Sequence, residues 1–77
     1  MGLTQKQLDN LKLGTSYKFS WKGSCYSGRL DGYDPKGQVL KFHLTSNISG
    51  PMNEDQDIHI KDIDKFRKGV KGVTCKL

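Results

Sequence analysis

The sequence predicts a single, mainly β domain over residues 1–77: a short N-terminal helix followed by a highly bent, five-stranded antiparallel small barrel. Three observations support this fold class. Apolar and polar residues alternate in several short segments, which is the pattern of half-buried strands. Glycines interrupt these segments, as expected where strands turn or bend. The chain has 77 residues, which is too short for a second domain or a large core.

The first predicted element is a helix over about residues 4–12. Thr4 and Gln7 have the spacing of a capping box, and Gly14 provides a C-terminal stop. A helix of two to three turns is not stable alone in water. We therefore expect it to dock onto the barrel through Leu8 and its neighbouring leucines.

A three-stranded meander is predicted next, with strands over about residues 16–22, 24–33 and 38–46. Large apolar residues alternate with polar ones in these segments, and most of the large apolar residues of the chain lie here. The segment 34–37 reads Asp-Pro-Lys-Gly, a sequence typical of a β-turn. The meander therefore forms the centre of the predicted fold.

The second half of the chain has weaker patterns. The polar segment 46–56 predicts an exposed loop, and strands are predicted over about residues 57–61 and 72–77. Between these strands, the spacing of Ile63 and Phe66 predicts a short helical turn. The predicted core of the whole domain consists of Leu8, Leu11, Tyr17, Phe19, Trp21, Leu30, Leu40, Phe42, Leu44, Ile58, Ile60, Ile63 and Val73.

A family resemblance lies in the meander, in the pattern formed by Gly23, Gly28, Leu30, Gly32, Tyr33 and Asp34. This pattern resembles the first signature of the Sm-like family, which includes Sm and Lsm proteins and bacterial Hfq. That family forms bent, SH3-like small barrels, usually assembled as rings that bind RNA. The chain also resembles two other kinds of small barrel, the YolD-like proteins and the C-terminal domain of RimP. The resemblance implies a homo-oligomer and an RNA or other single-stranded nucleic-acid partner.

The resemblance also implies a binding face. Its first part begins within the sequence Gly32-Tyr33-Asp34, and its second part begins within the segment 66–69, which is similar to the family's second signature. The candidate nucleic-acid-binding residues are Tyr33, Lys36, Gln38, Arg67, Lys68 and Lys71. The net charge of +5 agrees with such a partner. A protein-protein interaction module, acting as an adaptor, subunit or inhibitor of a larger protein, is the alternative.

The other function classes have little support in the sequence. His43 and His59 fall on the polar faces of predicted strands. Neither has a nucleophile and a carboxylate at a spacing suited to catalysis, so we do not expect the protein to be an enzyme. We expect no cofactor and no metal site. Cys25 and Cys75 are expected to be reduced thiols of a cytoplasmic protein, because the N-terminus lacks a secretory signal. No apolar run is long enough for a membrane span.

Overall fold

A computed structural model describes residues 3–69 of the protein as one short helix followed by a five-stranded antiparallel sheet. The elements are α1 (Gln5–Asp9), β1 (Ser16–Trp21), β2 (Ser24–Asp34), β3 (Val39–Asn47), β4 (Gly50–His59), a 3-10 turn (Ile60–Asp62) and β5 (Ile63–Lys68). The strand order is β4-β3-β2-β1-β5. The mainly β class and the first three predicted strands are confirmed.

The helix begins as predicted and ends early. The Thr4 side chain accepts a hydrogen bond from the backbone N–H of Gln7 at 3.1 Å. The Gln7 side chain accepts one from the backbone N–H of Thr4 at 2.9 Å, which completes the capping box. The helix was expected to reach residue 12, but Lys12 instead donates its backbone N–H to the Tyr17 hydroxyl at 3.0 Å. The chain therefore leaves the helix early in order to enter β1.

The core agrees closely with the prediction. The buried cluster consists of Tyr17, Phe19, Trp21, Leu30, Leu40, Phe42, Leu44, Ile58, Ile60 and Ile63. Leu8 and Leu11 are partly buried and pack against this cluster, so the short helix docks through its leucines as expected. The alternation of apolar residues located the core because it follows the two faces of the strands.

Glycines mark the bends of β2. The register between β2 and β3 shifts between Ser27 and Gly28, and again between Leu30 and Gly32. A Cβ atom on Gly28 would lie 2.8 Å from the backbone oxygen of His43. Such a contact is too close for any side chain, so a glycine is needed where β3 crosses this bend. The register shifts beside Gly28 and Gly32 agree with the expectation that glycines lie where strands bend.

The predicted loop over 46–56 is wrong, because most of it belongs to β4. The connection between β3 and β4 is a tight turn at Ile48 and Ser49. In the described part of the chain β4 pairs with β3 alone, and its side chains from residue 53 to 55 are exposed. A strand exposed in this way shows no apolar alternation, which explains why a polar composition was interpreted as a loop. The strand then ends at His59, two residues earlier than predicted.

The predicted helical turn around Ile63 and Phe66 is also wrong, because both residues belong to β5. Lys65 has a φ of +50°, and the register of β5 against β1 shifts at this point. The β5 segment from Asp64 to Arg67 opposes a segment of β1 that is one residue shorter, which is a β-bulge. The extra residue directs both Ile63 and Phe66 to the core, so their spacing of three reflects a bulge and not a helix.

Three predictions concern the C-terminal segment. The strand over 72–77, the core position of Val73 and the state of Cys75 all lie outside the described residues.

The side chain of Cys25 is buried and disulfide-bonded, so the expectation of a reduced thiol at this position is wrong.

Candidate nucleic-acid interface

A groove of about 430 Å³ lies between α1, the segment that follows it, and β5. We call it the helix groove. It is lined by Lys6, Gln7, Asn10, Lys12, Tyr17, Phe66, Arg67 and Lys68. Its walls come from opposite ends of the described chain, so the groove exists only when the helix is docked.

Two hydrogen bonds hold the walls of the helix groove in place. The side-chain amide of Gln7 donates to the backbone oxygen of Phe66 at 3.1 Å, which joins α1 to β5. The Tyr17 hydroxyl accepts from the backbone N–H of Lys12, which joins the segment after the helix to β1. Both bonds are partly buried, where a lost partner costs more than at the surface.

The floor of the helix groove is aromatic. The rings of Tyr17 and Phe66 are stacked, with centroids 4.7 Å apart and planes at 23°. Tyr17 is only 6% exposed, whereas Phe66 is half-buried. Phe66 is supported from the core by Phe19, at a centroid distance of 6.3 Å. Phe66 therefore combines a fixed ring position with apolar surface that is open to a ligand.

Four exposed cationic side chains surround this floor, and we call them the groove cations: Lys6, Lys12, Arg67 and Lys68. None of the residues that line the groove is acidic. Within residues 3–69 the salt bridges join Arg29 to Asp31 and His43 to Asp55, so none of them uses a groove cation. The positive charge of the groove is therefore available to an anionic ligand.

The first half of the predicted binding face lies elsewhere, at the turn between β2 and β3. We call Tyr33, Lys36 and Gln38 the turn surface. Tyr33 lies opposite Leu40 in the sheet and is partly buried against the core, as Phe66 is. Lys36 and Gln38 are exposed.

The second half of the predicted face is separated from the turn surface. The Gln38 carbonyl accepts a hydrogen bond from the backbone N–H of Ile60 at 2.8 Å, so the turn surface adjoins the segment just before β5. Ile63 pairs with Trp21 and Arg67 pairs with Lys18, three residues away along β1, which corresponds to roughly 10 Å of strand. Arg67 and Lys68 line the helix groove instead. Lys71 lies outside the described residues.

Sequence reasoning missed several residues of the helix groove. Lys6 lies in the docked helix and Lys12 follows it, but neither was among the candidate residues, and Phe66 was assigned to a helical turn. A signal for the lysines existed, because a helix that docks through leucines must direct its polar residues along the edges of the contact. Lys61 was missed as well; it is the exposed cation that follows Ile60 beside the turn surface.

An acidic groove of about 220 Å³ lies on the outer face of β2, β3 and β4. It is lined by Asp31, Lys41, Phe42, Asp55, Gln56 and Asp57. A hydrogen bond from Arg29 lowers the pKa of the Asp31 carboxyl, and the same salt bridge offsets part of its charge, so Asp55 and Asp57 contribute most of the negative charge of this groove. Among the described residues, no group of three or more His, Cys, Asp or Glu side chains is arranged to hold a metal ion. This groove is electrostatically unfavourable for a polyanion.

Comparison with known proteins finds no match to this chain among protein-family models, curated proteins or solved structures. The resemblance to the Sm-like family therefore remains a prediction that depends on the residues of the meander. No helix within residues 3–69 is long and apolar enough to cross a membrane. The cytoplasmic location remains a prediction.

Proposed function

We propose that the protein is a non-catalytic binding protein for single-stranded nucleic acid, RNA or DNA, and that the strand lies in the helix groove. One observation carries the proposal: the four groove cations surround a partly exposed aromatic ring, with no acidic residue among the lining residues. Sites for single strands combine these two features, because cations attract the phosphates and an aromatic ring stacks with a base.

The distribution of charge supports the same surface. Acidic residues line the groove on the outer face of β2, β3 and β4, whereas cationic residues line the helix groove. A polyanion is attracted to one groove and repelled by the other, so its approach is directed towards α1 and β5. The net charge of +5 adds a general attraction that does not depend on the groove.

The test is a fluorescence anisotropy titration with short, labelled RNA and DNA single strands over a series of salt concentrations. We expect wild-type binding to weaken steeply with salt. The double variant Arg67→Gln/Lys68→Gln should bind more weakly, with a salt slope that is smaller by about 0.7 for each lost phosphate contact.

The matched control is Lys41→Gln/Lys65→Gln, which removes the same charge from exposed positions outside the helix groove. It should retain most of the wild-type affinity. Wild-type protein that binds no single strand at low salt would contradict the proposed function. Equal loss in both double variants would show that binding depends on net charge and not on the groove.

A second candidate function is association with protein, including further copies of this chain. Within the described residues, β4 pairs only with β3, and β5 pairs only with β1. The exposed side chains of β4 include Glu54, Asp55 and Asp57, whereas β5 carries Lys65 and the two cations that follow Phe66. Edges of opposite charge that are unpaired within residues 3–69 are suited to pairing between chains. Sedimentation at low and high salt tests this candidate, which predicts a multimer that dissociates as salt is raised.

A further inference from the structure

We infer that the helix groove accommodates one unpaired nucleotide, whose base stacks on Phe66 and whose base edge hydrogen-bonds with the side-chain amide of Asn10. This inference rests on the proposed function and specifies what the groove recognises. It goes beyond the face that the family resemblance implies, because neither Phe66 nor Asn10 is among the six residues of that face.

The shape of the helix groove supports a single nucleotide. Its volume of about 430 Å³ lies towards the small end of the range for pockets that bind small molecules. Its aromatic surface comes from Phe66, because the neighbouring Tyr17 ring is stacked beneath it and almost fully buried. One accessible ring provides a stacking surface for one base, while the groove cations are placed around it for the flanking phosphates.

The hydrogen-bonding groups of the groove identify the residue that reads the base. Both polar atoms of the Gln7 amide are already used, one by Phe66 and the other by Thr4. The Tyr17 hydroxyl accepts a hydrogen bond from the backbone N–H of Lys12, and the Tyr17 side chain is almost fully buried, so it presents little surface to a base. The exposed Asn10 side chain has no hydrogen bond within residues 3–69, so its amide can both donate to and accept from a base edge.

Stacking on Phe66 requires an unpaired base. In a duplex the faces of the bases are covered by their neighbours and the Watson–Crick edges are occupied. The helix groove is therefore expected to discriminate against double strands by geometry, whereas charge alone would favour them. This expectation separates recognition of a nucleotide from general attraction to phosphate.

The first experiment compares two strands of equal length and charge by fluorescence anisotropy. One is a homopolymer with bases, and the other consists of abasic nucleotides throughout. Wild-type protein should bind the strand with bases about tenfold to a hundredfold more tightly, as expected for base stacking on an aromatic ring. Equal affinities would overturn the inference and leave the proposed function standing. Failure to bind either strand at low salt would instead refute the proposed function.

Variants then show which residues are responsible for the preference for a strand with bases. Phe66→Leu should remove most of the preference for bases with little change in the salt slope. Asn10→Ala should retain the preference for bases but narrow the differences in affinity among the four homopolymers. The control Tyr33→Leu removes an aromatic ring outside the groove. It should change neither the preference for bases nor the differences in affinity among the four homopolymers. Loss of the preference in Tyr33→Leu, together with its retention in Phe66→Leu, would overturn the assignment.

A measurement on wild-type protein guards against misfolding of Phe66→Leu. Titration with the homopolymer, followed by NMR, should shift the ring protons of Phe66 and the side-chain amide of Asn10. The fully abasic strand should not shift the NMR signals of the Phe66 ring protons. Shifts of the Phe66 ring that are the same with both strands would show that no base stacks there and would overturn the inference.

Discussion

The helix groove and the turn surface both combine cations with an aromatic residue, and they differ in how these groups are arranged. In the helix groove, the groove cations surround a half-buried Phe66 with no acidic residue among the lining residues. At the turn surface, Tyr33 is partly buried in the same way, but it lines neither described groove, and the backbone N–H of Lys36 is hydrogen-bonded to the carboxylate of Asp34. Composition alone does not distinguish these surfaces. Their arrangement does, because in the helix groove four cations line the same cavity as the ring of Phe66.

The two surfaces also differ in how they are built. The turn surface lies on one local turn between neighbouring strands. The helix groove is made of residues that are far apart in the chain, joined by the hydrogen bond from Gln7 to Phe66. A surface built from distant segments depends on the docked helix and on the core beneath it. The stability of the fold and binding in the helix groove should therefore be coupled.

The largest effect is expected from the core that supports Phe66. Phe19 is fully buried and contacts both Phe42 and Phe66. Phe19→Ala should lower the free energy of unfolding by about 3–5 kcal/mol, because it leaves a cavity in the core. The control Leu13→Ala changes a side chain that is 64% exposed, and it should change stability by less than about 0.5 kcal/mol. Chemical denaturation measures both, and similar values for the two variants would refute the assigned core.

The second largest effect is expected in single-strand affinity, when cations are removed from one surface or the other. Arg67→Gln/Lys68→Gln removes charge from the helix groove, whereas Lys36→Gln/Lys61→Gln removes the same charge near the turn surface. At low salt the first variant should lose on the order of ten- to a hundredfold in affinity for a single strand, because two phosphate contacts are lost. The second should lose much less. The reverse order in anisotropy titrations would assign the interface to the turn surface.

The smallest effect concerns the link between α1 and β5. Gln7→Ala removes the hydrogen bond to Phe66 and the side-chain half of the capping box, so it should cost about 1–2 kcal/mol of stability. It should also weaken single-strand binding. Gln5→Ala is a matched control in the same helix, because Gln5 bonds only with the exposed Asp9 in the described structure. Thermal unfolding that is equally affected in both variants would argue against a helix held through Gln7.

The sequence allowed the β class, the meander and the core to be predicted, because these follow from local alternation and from glycines at bends. Residues such as Phe19, Leu30 and Phe42 lie in strands with one buried face, and period-two patterns identify that face directly. The exposed edge strand β4 has no such face along most of its length, so its pattern resembled that of a loop.

The helix groove could not be predicted for two physical reasons. The bulge at Lys65 changes the spacing of inward residues, so Phe66 resembled part of a helix and not an aromatic floor. The contact between Gln7 and Phe66 is a tertiary contact that no local pattern reports. The turn surface was easier to find because its residues are neighbours in sequence and resemble a known signature.

The most direct test of the account is a titration of isotope-labelled protein with an unlabelled single strand, followed through the backbone amide signals. We expect the largest shifts for residues of α1, for Asn10 and Lys12, and for the segment from Phe66 to Lys68. The signals of residues 33–38 should move little. Large shifts confined to residues 33–38 and Lys61, or no shifts at low salt, would contradict the claim that a single strand binds in the helix groove.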